Sequence, residues 1–278
     1  MRFLLFISVL TVSAFAGNEP LPSDQLILDL DAAKGLQLDD DGRVISWKNQ
    51  APIHKSLLFS IQNEGRAIAG SGRPSLRKSA ANKKPALIFK QQELICPDED
   101  IFDGLTTGKG HTWIAVIAVY DQRVGVKNVN SFFGNLRNGK IYEGLWGCLD
   151  DDNTIWCGAR NGLSFGRFDK NNPKVSGPVL EREKFYIIAG RMDAGTGTVN
   201  ITLHVNTPEV VATEKFPVNP KANPSRMAIG QERDAIEHPG KESFDGEIAR
   251  FLIWQKPLSD KELASSMKAL ADTYLESD

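Results

Sequence analysis

Residues 184–206 constrain the fold most: KFYIIAGRMD, then AGTGT, then VNITLHVN ending at Asn206. Two runs rich in β-branched and aromatic residues around a Gly-containing turn form a hairpin signal. In the second run Ile201, Leu203 and Val205 fall on one face, and Thr202, His204 and Asn206 on the other. A period of two belongs to an extended strand, and it places His204 on the solvent side. Further runs of this kind follow one another along the chain: LILDL (26–30), RVISWKN (43–49), PALIF (85–89), TWIAVIAVY (112–120), SFFGNL (131–136), KIYEGLWGCL (140–149), TIWCGA (154–159), RMAIG (226–230) and EIARFLIW (247–254). TWIAVIAVY is almost continuously apolar, as expected for a strand buried on both faces. Many short strands with turn signals about every ten residues predict an all-β, two-sheet antiparallel jelly-roll sandwich.

The clearest helix signal comes last. Ser259-Asp260-Lys261-Glu262 after Pro257 is a capping box. Leu263, Met267, Leu270, Tyr274 and Leu275 form one stripe, which predicts a helix packed on the sandwich. The polar segment 63–84, rich in Gly, Ser and basic residues, reads as a surface excursion between strands. The chain is expected to form one domain over 17–278.

The N-terminus MRFLLFISVLTVSAFAG combines one basic residue, a short apolar run and an Ala-x-Ala ending. That is a secretory signal, with residues 1–16 removed and an extracellular, periplasmic or cell-surface destination. The apolar run is too short to span a bilayer. The formal charge is −2, from 33 basic and 35 acidic residues. No basic stripe points to nucleic acid, and no polybasic amphipathic helix points to a membrane surface.

Three cysteines are present. Cys148 and Cys157 bracket a turn-rich segment, and in an exported protein a disulfide across that hairpin is expected. Cys96 reads as a buried apolar residue. The cysteines and the four histidines lack zinc-ligand spacing.

Several segments together resemble the laminin G-like, concanavalin A-like jelly-roll domains of secreted bacterial proteins. These are LILDLDAAKG with DGRVISWKNQA, NKKPALIFKQQELI, KFYIIAGRMDAGTGTVNITLHVNTPEV, and NPSRMAIGQERD followed by SFDGEIARFLIWQKPLSDKEL. The resemblance covers roughly 26–274, and the closing Phe-Asp-Gly-Glu-Ile into a strand and helix is its specific part. It implies two antiparallel sheets. Lectins, adhesion modules and glycoside hydrolases share that fold, so function must come from a site.

Three sites stand out. Glu232, Asp234 and Glu237 spell E-x-D-x-x-E, the spacing of catalytic carboxylates in jelly-roll glycosidases, where a nucleophile and an acid sit about 5–5.5 Å apart. Pro239 and Gly240 close by favour a loop, so a charged loop is the plainer reading. Glu232, Asp234, Glu242 and Asp245 are oxygen donors of the kind Ca2+ takes, although Arg233 and Lys241 lie among them. Trp146 and Trp156, with Tyr142 and Arg160, supply aromatic faces and a polar rim for a sugar ring. Gly162-Leu163-Ser164-Phe165-Gly166 matches a nucleophile elbow but lacks the following helix that gives that motif meaning. The leading expectation is a non-catalytic binding module for a glycan or an extracellular protein partner. A glycoside hydrolase using Glu232, Asp234 and Glu237, and a structural or adhesive surface protein, are the alternatives.

Overall fold

The computed structural model describes residues 20–61, 72–122, 129–138, 141–164, 166, 168–232 and 242–276. The expected leader, 1–16, lies outside them. In chain order the strands are β1 Leu26–Asp31, β2 Leu36–Leu38, β3 Val44–Lys48, β4 Leu58–Ser60, β5 Ser75–Ala81, β6 Lys84–Lys90, β7 Leu94–Ile95, β8 His111–Val119 and β9 Asn130–Gly134. They continue as β10 Arg137–Asn138, β11 Tyr142–Leu149, β12 Thr154–Asn161, β13 Lys174–Val179, β14 Phe185–Met192, β15 Thr198–Val205, β16 Ala212–Pro217, β17 Ala228–Ile229 and β18 Asp245–Trp254. Helix α1, Asp260–Tyr274, follows.

These strands form two sheets, and every strand pair is antiparallel. The back sheet runs β16-β15-β14-β8-β18-β6-β5, and β1 also pairs with β18. The front sheet runs β13-β12-β11-β9-β17-β7-β4-β3-β2, with β10 on β11. The expected jelly-roll sandwich is therefore the fold. The back sheet depends on β18, which pairs with β8 along one edge. Its other edge is shared, by β6 at 245–248 and by β1 at 250–254.

The inner strands are buried on both faces. All nine residues of β8 are buried. Trp113, Ala115 and Ile117 enter the core between the sheets. Ile114 and Val116 point the other way, to a second cluster with Leu263, Met267, Leu270 and Tyr274 of α1. The main core centres on packed aromatics at tilted angles, with Trp113–Phe133 at 5.0 Å and Phe133–Phe251 at 4.7 Å between ring centres. Gly190 lies opposite Trp113, and a Cβ there would come within 2.4 Å of the indole. The capping box of α1 forms as the sequence indicates: Ser259 accepts from the Glu262 N–H, and the Glu262 carboxylate accepts from the Ser259 N–H.

Three expectations need correction. Part of the 63–84 excursion is strand, because Ser75–Ala81 pairs with β6 as an edge. An edge strand with one wet face needs no apolar alternation, and Lys and Arg suit it. His204 is buried, not exposed. Its Nδ1 sits 2.8 Å from the Pro208 carbonyl and its Nε2 2.9 Å from Thr202 Oγ1. The chain beyond β15 closes over it, and burial lowers its pKa.

The third correction is the disulfide. All three cysteines are free thiols. In the β11–β12 register Cys148 faces Trp156, and Cys157 faces Gly147. The two cysteines are one position out of step, and a one-residue offset sends side chains to opposite faces. Cys157 lies in the main core, and Cys148 in a small cluster on the outer side of the front sheet. Burial pushes the Cys96 thiol up to about 11 and the Cys157 thiol up to about 12, and raises Cys148 as well. Since the thiolate is the reactive form, the native protein should resist alkylation at pH 8. Denaturation without reductant should expose three alkylatable thiols, counted by mass spectrometry.

Candidate functional site

The same register that separates the cysteines unites the aromatic residues. Trp146 faces Gly158, Cys148 faces Trp156 and Gly144 faces Arg160. Even-numbered residues of β11 and β12 therefore share the outer face of the front sheet, while Leu145, Leu149, Ile155 and Ala159 enter the core. Trp146 and Trp156 are diagonal neighbours, and their rings meet edge to face at 4.8 Å. Trp146 has glycine on both sides, Gly158 on β12 and Gly134 on β9. A Cβ on Gly158 would lie 2.7 Å from the Trp146 Nε1, so the glycine makes room for the indole.

Arg160 is held between two rings, its guanidinium carbon 4.0 Å from the Tyr142 ring centre and 4.3 Å from that of Trp146. Cation–π contacts in such a desolvated place contribute roughly 1–2 kcal/mol each. The four residues singled out in the sequence thus form one assembly. Its interior is closed: Trp146 is 2% and Trp156 0% exposed. A sugar ring cannot stack directly on either indole.

Two further residues complete the patch. Phe168, 36% exposed, packs 6.4 Å from Trp146 and 5.4 Å from Trp156. Lys174 lies 5.0 Å from the Trp156 ring and 5.3 Å from Phe168, and Asp150 holds it at 2.7 and 2.8 Å. Phe168 sits in a bend with φ 58°, and its ring lies against the tryptophans. Phe168, Tyr142 and the 60% exposed Leu163 form the accessible apolar surface. Nothing local in the sequence marks Phe168 or Lys174 as part of this patch.

The acidic motif divides. Glu232 is buried at the front sheet, where its carbonyl accepts from Leu136 N. The Glu232 and Glu242 charges reach Cys148 and add to the burial that raises its thiol pKa. Asp234 and Glu237 lie outside the described residues. Glu242 adjoins β9 through its carbonyl and Ser131 N, whereas Asp245 begins β18 on the back sheet. Among the described residues no three acidic, histidine or cysteine side chains gather as a cation site requires. In the G-x-S-x-G segment, the Ser164 hydroxyl donates to Asp169 at 3.1 Å. This is turn structure rather than a nucleophile elbow.

An ionisable cluster borders the front sheet at 103–106, a short 3-10 turn. With its amide nitrogen facing Asp103, Asn223 donates to Asp103 Oδ2 at 2.9 Å and accepts from Arg137 at 3.2 Å. Burial first, and then the nearby Asp100 charge, raise the Asp103 pKa to about 6, against the opposing pull of Arg137.

Residues 112–264, more than half of the chain, match the family model of the concanavalin A-like lectin/glucanases superfamily. The chain belongs to this superfamily. Among solved structures it resembles the Trypanosoma rangeli sialidase in complex with 2,3-difluorosialic acid, at 13% identity and a TM-score of 0.58. That match covers 98% of this chain and 36% of the sialidase. It also resembles the binding domain of Paraclostridial Mosquitocidal Protein 1, at 12% identity and a TM-score of 0.56, covering 89% of this chain and 53% of that one. The chain thus spans about a third of the sialidase's length and about half of the toxin domain's. At these identities the likeness is one of fold. No curated protein matches the sequence.

Asp103 gives a pH prediction. A carboxyl whose folded-state pKa lies above its unfolded value binds its proton more tightly when folded. Its contribution is complete below pH 4 and is lost as pH rises through about 6. Two pKa units correspond to about 3 kcal/mol, which solvent screening at this half-buried site cuts to about 1–2 kcal/mol. Asp103→Asn should therefore stabilise the protein at pH 7 by about 1–2 kcal/mol and flatten its stability between pH 4 and 7, measured by urea midpoints.

Proposed function

We propose that this chain is an exported, non-catalytic carbohydrate-binding module, with the outer face of the front sheet as its binding surface. One observation carries the reading: Tyr142, Arg160, Trp146, Trp156, Phe168 and Lys174 form a continuous aromatic and cationic layer on that face. The two tryptophans are its rigid base. Tyr142 and Phe168 at the rim offer apolar ring surface, while Lys174 supplies a donor beside it. Sugars are bound by such pairings of ring faces with a few oriented polar groups. Membership of a family that groups lectins with glucanases supports the same reading.

The signal-like N-terminus supports export, and an extracellular glycan suits that location. The layer itself is built of aromatic rings and cations, the groups that a saccharide-binding surface uses.

Affinity electrophoresis in gels cast with soluble polysaccharides tests the proposal. The protein should be retarded by at least one polymer, and equally so with chelator present. Tyr142→Ala and Phe168→Ala should each weaken that retardation about tenfold, as expected for losing roughly 1.4 kcal/mol of ring contact. Trp156→Phe should lower stability, because the indole is a buried support. Full retention of binding by both rim variants removes this face from consideration. Absence of retardation on every polymer removes carbohydrate.

A further inference from the structure

The back sheet has an outer face as well, and α1 covers only part of it. Ile114, Val116, Ala249 and Leu252 lie under the helix. Beyond its C-terminal end the face continues as Arg77, Ile88, Lys90, Ala118, Tyr120, Phe185, Asp245 and Glu247. The register fixes this set: Ala118 faces both Phe185 and Glu247, and Ile88 faces Glu247. A pocket of about 600 Å³ opens here, with Arg77, Lys90, Tyr120, Arg182, Glu183 and Asp245 among its walls.

Glu247 lies beneath these walls and is 1% exposed. Its Oε1 accepts from Arg77 at 2.7 Å and from the Tyr120 hydroxyl at 2.6 Å. Its Oε2 is buried and has no hydrogen-bond partner. A buried carboxylate oxygen without a donor costs on the order of 1–3 kcal/mol or more. Native interiors rarely leave such an atom unsatisfied. Its two hydrogen-bond partners, Arg77 and Tyr120, are pocket walls, and Arg77, whose side chain is half exposed, is the group that would have to move for a ligand in the pocket to reach Oε2.

The charges indicate what fits. The walls carry the cations Arg77, Lys90 and Arg182 and the acids Asp121, Glu183 and Asp245. Arg77 is paired with Glu247, and Arg182 with Asp121 at 3.0 Å. Counting Glu247, acids exceed bases by one, so the pocket holds no surplus cation for an anionic ligand. It needs a donor at Oε2 and offers N–H groups of Arg77 and Lys90 to acceptors. Ile88 and the Tyr120 ring supply apolar floor. Adjacent hydroxyls of an uncharged sugar meet all of these demands, since each hydroxyl both donates and accepts.

We infer that the pocket around Glu247 is a second saccharide subsite, specific for uncharged sugar units, on the sheet opposite the aromatic face. This rests on the reading of the chain as a glycan-binding module. It makes the module two-sided, able to engage two chains of a polymer or two parts of one chain, which raises avidity without new contacts at either face.

The test is amide shift mapping by NMR on the 15N-labelled protein, titrated with neutral hexaoses (cello-, malto-, xylo-, manno- and laminari-) and, separately, with sialyllactose. One neutral hexaose should shift the amides of Tyr120 and 245–247 with their own saturation curve, apart from shifts near Phe168. In Glu247→Gln the amide oxygen stays with Arg77 and Tyr120, and the nitrogen takes the place of Oε2. An acceptor becomes a donor, so the back-sheet shifts should weaken at least about tenfold while those near Phe168 persist. The wild-type titration stands alone should that variant fold poorly. Shifts confined to the Phe168 face overturn the second subsite and leave the first. Shifts at the back sheet with sialyllactose alone overturn the uncharged specificity. Shifts at neither face overturn both readings.

Discussion

The pleat of a β-strand sends successive side chains to opposite faces, and here both faces of the inner strands are buried. Most of the molecule follows from that constraint. On β8 the odd residues build the core between the sheets, and Ile114 and Val116 on the other face seat the C-terminal helix. On β11 and β12 the odd residues enter the same core, and the even residues raise an aromatic layer outside. A single-residue change of register would exchange these populations and place Trp146 and Trp156 among the core phenylalanines.

The two outer faces meet the constraint differently. On the back sheet a separate element, α1, covers the apolar half, and the polar half stays open around Glu247. On the front sheet the cover is local. Arg160 fills the gap between Tyr142 and Trp146, and the bend at 168 lays a phenylalanine against both tryptophans. Gly158 makes that arrangement possible, because a Cβ there would meet the Trp146 indole, and Gly134 on the other flank lets the Glu232 backbone approach closely. The resulting surface is rigid underneath and apolar at its rim, which lowers the entropy lost when a ligand is held there.

The long inner strands were legible because burial on one or both faces demands apolar residues at fixed periods. The edges were not. β13, KVSGPV, contains a glycine and a proline, and β16, ATEKFP, ends in proline; both lie at sheet edges, where prolines are tolerated. Their half-exposed residues carry no period to read. The grouping of Trp146, Trp156, Tyr142 and Arg160 was visible because the residues sit in two adjacent strands around one turn. The cysteine pairing was misjudged for a related reason. The number of residues between Cys148 and Cys157 does not reveal the hairpin's register. The loop at 150–153, closed by the Asp150 N–H to the Thr154 carbonyl, sets that register one step away from a disulfide. Glu247 and Lys174 became visible only in three dimensions, since their partners at 77, 120 and 150 are distant in sequence.

The central claim is that carbohydrate binds on the aromatic face of the front sheet. The most direct measurement is a crystal structure of the protein with an oligosaccharide cut from the polymer that retards it most. Sugar density against Tyr142 and Phe168, with Trp146 and Trp156 unmoved beneath, is the expected result. Sugar held only by the loops at the sandwich edge, with the aromatic face bare, would contradict it.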